Sequence, residues 1–264
     1  MSDTDGLPAG GNRNAPSFTC CSVRIDAHTP ESAVVALLSP PDPVLGRSVH
    51  LCNAYTLSLA GRDPEMRRRL NVSDLNLPDG TPLVWIGRRL GLIQLKLPVA
   101  GTDLMLNTMD RGRELGIRHL LYGSTDEVLC KLETELRRRF PGVNIVAREA
   151  PPFRELTADE EIELEERLGE LRPDIVWVGL GTPKQDAFVH NFRGRAPSTF
   201  VAIGAAFDFI SGTKRRAPLW MQGRGLEWAY RLAKEPRRLG TRYLIYNARF
   251  LLGVIRERPK IETP

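Results

Sequence analysis

From about residue 118 onward, short apolar runs alternate with longer stretches in which apolar residues recur every three or four positions. HLLYG at 119–123, Asn144 to Arg148 and Ile175 to Val178 are compact runs bounded by Gly, Ser, Pro or Asn, the pattern of buried strands. Between them, Thr125 to Phe140 and Thr157 to Leu171 carry helical spacing, and Thr157-Ala158-Asp159-Glu160 is a capping box that opens the second helix. Strand and helix in strict alternation predict a parallel sheet with right-handed crossovers. The expected fold is therefore α/β, a Rossmann-like parallel sheet flanked by helices.

The first half is less regular. An apolar alternation around Val23 and Ile25 precedes Thr29-Pro30-Glu31, an N-cap, a first-turn proline and a first-turn acid, and a helix to about Leu38 is expected. SPPDPVLG ends it, and Val49 to Cys52 is read as a strand with Asn53 at its tip. Asp74, Asn76 and Asp79 then precede a helix that starts near Thr81-Pro82 and runs to Leu90. A further helix over 101–116 is expected, with Thr102 as cap and Gly116 as stop.

The most suggestive punctuation lies at Ile175 to Gln185, IVWVGLGTPKQ, a strand, a glycine turn and a helix start. Exposed amides at a helix N-terminus attract anions, and glycines let a ligand approach the backbone. Phe200 to Pro218 repeats the strand and brings Asp208 to its carboxyl end, where open α/β sheets place ligands. Gly123-Ser124 reads either as a similar loop or as a plain connection. Asp79-Gly80 reads either as a simple turn or, being an acid just ahead of a helix with polar neighbours, as a catalytic position.

Charge changes the picture at the C-terminus. The net charge is +5, yet residues 214–260 hold thirteen Lys or Arg against three Glu, a local balance of +10 on a body of −5. Such asymmetry predicts an anionic partner, nucleic acid or a membrane surface. In the last helix, from Pro236, Leu239, Tyr243, Tyr246, Phe250 and Val254 form an apolar stripe among arginines, suited to core packing or to a membrane interface. Three parts are expected: a disordered tail over 1–17, an α/β body over 18–217, and a basic helical, membrane-associating appendage over 218–264.

Other classes lose ground. No run approaches the roughly 20 apolar residues of a membrane span, and no apolar signal core opens the chain, so a cytoplasmic location is expected. Asp3-Thr4-Asp5 has no strand leading into it. The four cysteines, Cys20, Cys21, Cys52 and Cys130, show no C-x-x-C spacing, which argues against metal and disulfide frameworks. No G-x-G-x-x-G follows an early strand, so no nicotinamide or flavin cofactor is expected.

Five collinear motifs, DGTPLVW at 79–85, AGTDLM at 100–105, GLGTPKQD at 179–186, AIGAAFDFISGTKRRAP at 202–218 and GLEWAYRLAKEPRRLGTRYL at 225–244, resemble the WecG/TagA/CpsF family, glycosyltransferase family 26. The resemblance implies an inverting, metal-independent transfer of an N-acetylmannosamine-type sugar from a UDP-sugar donor to a polyprenyl-diphosphate-linked acceptor, at the inner face of the membrane. It implies Asp79 as catalytic base, and Asn53, Gly181, Lys184, Gln185 and Asp208 on the donor side. Without a metal, cations must neutralise the diphosphate, and Arg224, Arg231, Arg237 and Arg238 are the candidates, with lipid headgroups as their other role. Nucleic acid is not expected as a partner under this reading, although a nucleic-acid-binding protein using the basic tail is the rival; a homo-oligomer is left open. Two positions depart from the family pattern: Leu51 replaces a threonine and Pro98 an arginine.

Overall fold

The computed structural model describes residues 15–218, 220–221 and 225–262. The chain opens with a hairpin, β1 (Ser17–Cys20) and β2 (Val23–Asp26), followed by α1 (Pro30–Leu38), β3 (Arg47–Cys52), α2 (Ala54–Ala60), α3 (Pro64–Val72), β4 (Leu75–Pro78), α4 (Thr81–Arg89) and α5 (Gly101–Gly112). The regular half contributes β5 (Arg118–Gly123), α6 (Asp126–Arg139), β6 (Asn144–Glu149), α7 (Ala158–Leu171), β7 (Ile175–Gly179), α8 (Lys184–Phe192), β8 (Thr199–Ala202) and α9 (Ala206–Ile210). It closes with α10 (Glu227–Lys234), α11 (Pro236–Arg256) and β9 (Lys260–Glu262).

Six strands form one parallel sheet in the order β4-β3-β8-β7-β5-β6. Because side chains alternate across a strand, each central strand feeds two cores. Ile175 and Trp177 of β7 pack on the side of α5, α6 and α9, whereas Val176 and Val178 pack on the side of α7 and α8. Val201 and Phe200 of β8 divide in the same way. A sheet covered on both faces exposes its ligand surface only along an edge of strand ends.

A third cluster joins the β1–β2 hairpin to α2, α3, α4 and α11. Ser17, assigned to the tail by composition, is buried as the first residue of β1, which pairs antiparallel with β2 and with β9. The C-terminal segment is thus tied to the body at both ends. Phe250 is buried, Val254 packs beside it, and the Tyr246 ring stands edge-on to Tyr55 of α2 at 4.8 Å. The stripe read from the sequence is core. A different face of α11, Leu244, Leu251, Leu252 and Ile255 at three- to four-residue multiples, is exposed.

Two readings need correction. Thr102 lies inside α5 rather than capping it: the chain enters through Ala100, which makes no side-chain cap bond, and the helix ends at Gly112 before a turn to Gly116. The stretch holding Asp74, Asn76 and Asp79 is not simply a lead into a helix, because Leu75–Pro78 is the edge strand β4. Its four residues are too few, and too interrupted by Asn76, for an apolar run to announce it.

Candidate active site

β3 and β4 pair in parallel register with Leu51 opposite Leu77 and Cys52 opposite Pro78, so the next residues, Asn53 and Asp79, emerge side by side. The Asp79 amide donates to the Cys52 carbonyl at 2.8 Å, which extends the ladder to the tip. Asn53 caps α2: its Oδ1 accepts from the amides of Tyr55 and Thr56 at 3.0 and 3.2 Å. That fixes the amide group, and its Nδ2 donates to Asp79 Oδ2 at 3.1 Å.

Burial pushes the Asp79 carboxyl up to about 6; the Asn53 hydrogen bond and the nearby Arg231 and Arg216 guanidinium groups pull the other way, while Glu227 adds to the rise. A carboxylate poised near neutrality is suited to accept a proton.

The other polar residues of this stretch have different work. Asp74, at the opposite end of β4, receives Ser48 N and Oγ at 2.8 and 2.9 Å and the Arg193 guanidinium at 2.9 and 3.1 Å, all in the interior. Asn76 Nδ2 donates to the carbonyls of Leu70 and Arg24 at 2.7 and 3.0 Å. Neither reaches the strand tips.

At the neighbouring tips, the two glycines of the GLG turn are used differently. A Cβ on Gly179 would meet the Phe207 ring at 2.5 Å, so this glycine serves packing. Gly181 adopts φ +76° with nothing near its Cβ position, so open space lies before its backbone. Gly123 likewise lies against the Gly179 backbone, which makes Gly123-Ser124 a packed connection. Gln185 is buried, and its Oε1 accepts from the amides of both Gly181 and Gly204 at 3.0 Å. It staples the turn after β7 to the turn after β8. Beneath it, Asp186 Oδ1 lies 2.9 Å from His50 Nδ1 of β3, holding the first turn of α8 to the sheet. Lys184 is exposed at the start of that helix.

Asp208 pairs with Lys214 at 2.6 Å and its carbonyl accepts from the Lys214 amide at 2.9 Å, so it closes the loop after α9. Two residues on, Arg216 forks onto Asp103 of α5 at 2.5 and 2.7 Å. The sequence reading singled out neither Asp103 nor this pair, although both belong to quoted motifs. The chain then returns over the site: Gly225 lies against Thr81, with 3.2 Å from its Cβ position to Thr81 Oγ1. α10 carries Arg231 over the Phe209 ring at 5.5 Å. Lys214, Arg215, Arg231 and Lys234 line a cavity of about 260 Å³ with Phe209, Tyr230 and one acid, Glu235. Lys214 and Lys234 escaped the sequence reading; the three-residue spacing of Arg231 and Lys234 on one helix was the available signal. Arg237 is exposed, and Arg224 and the side chain of Arg238 lie outside the described residues.

The two departures have structural counterparts. Leu51 is buried in β3 and its Cδ1 lies 2.8 Å from where a Gly101 Cβ would stand, so this position packs the start of α5. Pro98 and the exposed Lys96 belong to the loop between α4 and α5. Among the described residues, no group of three or more His, Cys, Asp or Glu is arranged to hold a metal ion.

A two-faced parallel sheet whose carboxyl edge gathers a raised carboxylate, glycine turns and a cavity rich in cations has the architecture of an α/β enzyme. The chain belongs to the glycosyl transferase WecG/TagA/CpsF family, whose pattern matches residues 18–263, and it is a glycosyltransferase of cell-envelope polysaccharide biosynthesis. It is similar to two proteins named N-acetylglucosaminyldiphosphoundecaprenol N-acetyl-beta-D-mannosaminyltransferase. The one from Bacillus spizizenii (strain ATCC 23059 / NRRL B-14472 / W23) is 31% identical over 180 residues, 68% of each chain. The one from Bacillus subtilis (strain 168) is 27% identical over 223 residues, 84% of each chain.

Proposed function

We propose that this glycosyltransferase moves an N-acetylmannosamine-type sugar from a UDP donor to a polyprenyl-diphosphate-linked N-acetylglucosamine, by a single inverting displacement without a metal. The names of the two relatives support the sugar and the acceptor. The observation that carries the chemistry is Asp79, held by Asn53 through Oδ2 and raised to about 6 by burial.

In the proposed step, the acceptor hydroxyl gives its proton to Asp79 as its oxygen bonds to the anomeric carbon. The bond from that carbon to the UDP oxygen breaks on the opposite face, and the electron pair leaves with the diphosphate. Cations positioned beforehand stabilise that charge at no cost in reorganisation. The Lys214, Arg215, Arg231 and Lys234 cavity is the place assigned to a diphosphate. The open space before the Gly181 backbone and Lys184 at the start of α8 form the donor side. Gln185 acts here by holding the two glycine turns at a fixed spacing.

The appendage over 218–264 is assigned the membrane contact. Its support is the exposed apolar face of α11, Leu244, Leu251, Leu252 and Ile255, beside Arg249, Arg256 and Arg258. No helix of the described residues is long and apolar enough to cross a membrane.

The test compares Asp79→Asn with the unaltered protein for transfer and for the thermal shift caused by a UDP-sugar. Loss of transfer with the shift retained is expected. An active Asp79→Asn protein would overturn the assignment of the base.

A further inference from the structure

The excursion from Asp79 to Val99, which contains α4, has features that sugar transfer does not explain. Its ends are joined: the Asp79 amide bonds to Cys52 and the Val99 amide donates to the Pro78 carbonyl at 2.9 Å, so the segment leaves and re-enters the sheet at one point. Its inner side is fixed. Leu83, Val84, Leu92 and Leu95 are buried in the cluster with Phe18, Val23 and Ile25. The loop after α4 folds back on the helix through the bond from Leu92 N to the Gly87 carbonyl at 3.0 Å.

The outer side of this rigid unit is apolar and basic at once. Trp85, Ile93 and Leu97 are exposed by 62%, 76% and 50%, and Arg88, Arg89 and Lys96 are exposed among them. From Thr81 to Ala100 there is no Asp or Glu. A large indole with aliphatic side chains, on a segment whose charged groups beyond Asp79 are all cations, matches the interface of an anionic bilayer: the apolar groups enter the headgroup layer and the cations meet lipid phosphates.

We infer that the 79–99 excursion is a second membrane-contacting surface, borne by the body rather than the appendage, and that it docks on an anionic lipid bilayer. Asp79 stands at its neck, so docking brings the strand-tip carboxylate towards the headgroup plane, where the diphosphate of a membrane-linked acceptor emerges. The inference rests on the proposed membrane-linked acceptor, but it concerns a different surface from α11.

The test uses the full chain with Trp220→Phe and Trp228→Phe, which leaves Trp85 and the buried Trp177. Vesicles of phosphatidylglycerol with brominated acyl chains should quench and blue-shift the Trp85 emission, while phosphatidylcholine vesicles should not. Replacing Arg88, Arg89 and Lys96 by Glu should weaken binding to the anionic vesicles at least about tenfold, with the circular dichroism spectrum and melting temperature unchanged. Unquenched Trp85 in a chain that still floats with the vesicles would overturn this inference and leave the α11 contact standing. A concentration-dependent dimer in sedimentation, abolished by the same three changes, would overturn it by giving the face to a second copy. A chain that does not float at all would overturn both membrane assignments together.

Discussion

Asp74 and Asp79 are five residues apart, flank the same short strand, and behave as opposites. Asp74, at the amino end of β4, is enclosed by two Ser48 donors and the Arg193 guanidinium. Asp79, at the carboxyl end, accepts from the Asn53 side chain and has a carboxyl raised to about 6 by burial. The difference teaches what a carboxylate beside a strand end is for. Saturated with donors, its charge is already used and it locks β3, β4 and the end of α8 together. Raised at a strand tip, it retains the capacity to take a proton.

Exchanging the effects of the two residues is the strongest way to break this contrast. Asp79→Asn should lower turnover by roughly 10³-fold, within the range for loss of a positioned general base, while the protein stays folded; transfer assays with a melting curve check both halves. Asp74→Ala should do the reverse. It breaks the buried pair with the Arg193 guanidinium and removes the acceptor of both Ser48 donors, a loss of up to about 3–5 kcal/mol, seen as a lower midpoint in urea. If Asp74→Ala melted normally, the pair would not be the lock described.

A smaller effect sharpens the comparison. The folded carboxyl of Asp79 titrates near 6, above the ordinary value of 3.8, so ionisation opposes folding. This contribution is absent below about pH 4, grows as pH rises to about 6, and is constant above. Asp79→Asn lacks it, so the variant should melt higher than the unaltered protein at pH 8 and alike at pH 3.5, by calorimetry. Smaller again, Asn53→Ala removes both the α2 cap, worth about 1 kcal/mol, and the hydrogen bond that favours ionised Asp79. The melting temperature should fall modestly and the acid limb of the rate profile should move to higher pH.

The regular half of the fold was legible because parallel strands buried on both faces read as apolar runs, and because Thr125 and Thr157 cap the helices that follow them. The 54–69 region was not. α3, PEMRRRLNV, is mostly polar and buries only Met66 and Leu70, too little for a spacing to declare itself. β9 is equally silent, since a three-residue strand exists only through its pairing with β1. In the site, Asp79 and Asn53 could be singled out, but their adjacency depends on the register of β3 on β4, a long-range fact. Gln185 illustrates the same limit. Its place in the motif implies a donor contact, and what no spacing showed is that its oxygen also accepts from two backbone amides in the turns after separate strands. The cationic cavity was half visible as a basic tail, yet which cations converge was decided by α10 returning over Phe209.

The pH dependence of kcat/KM, followed from pH 4.5 to 8.5 with the UDP-sugar and a lipid-linked acceptor, bears most directly on Asp79 as the base. The rate should fall about tenfold per pH unit below an apparent pKa near 6, the position set by burial of that carboxyl. The residual rate of Asp79→Asn should show no such limb. A profile flat through pH 5, or the same acid limb persisting in Asp79→Asn, would contradict the assignment.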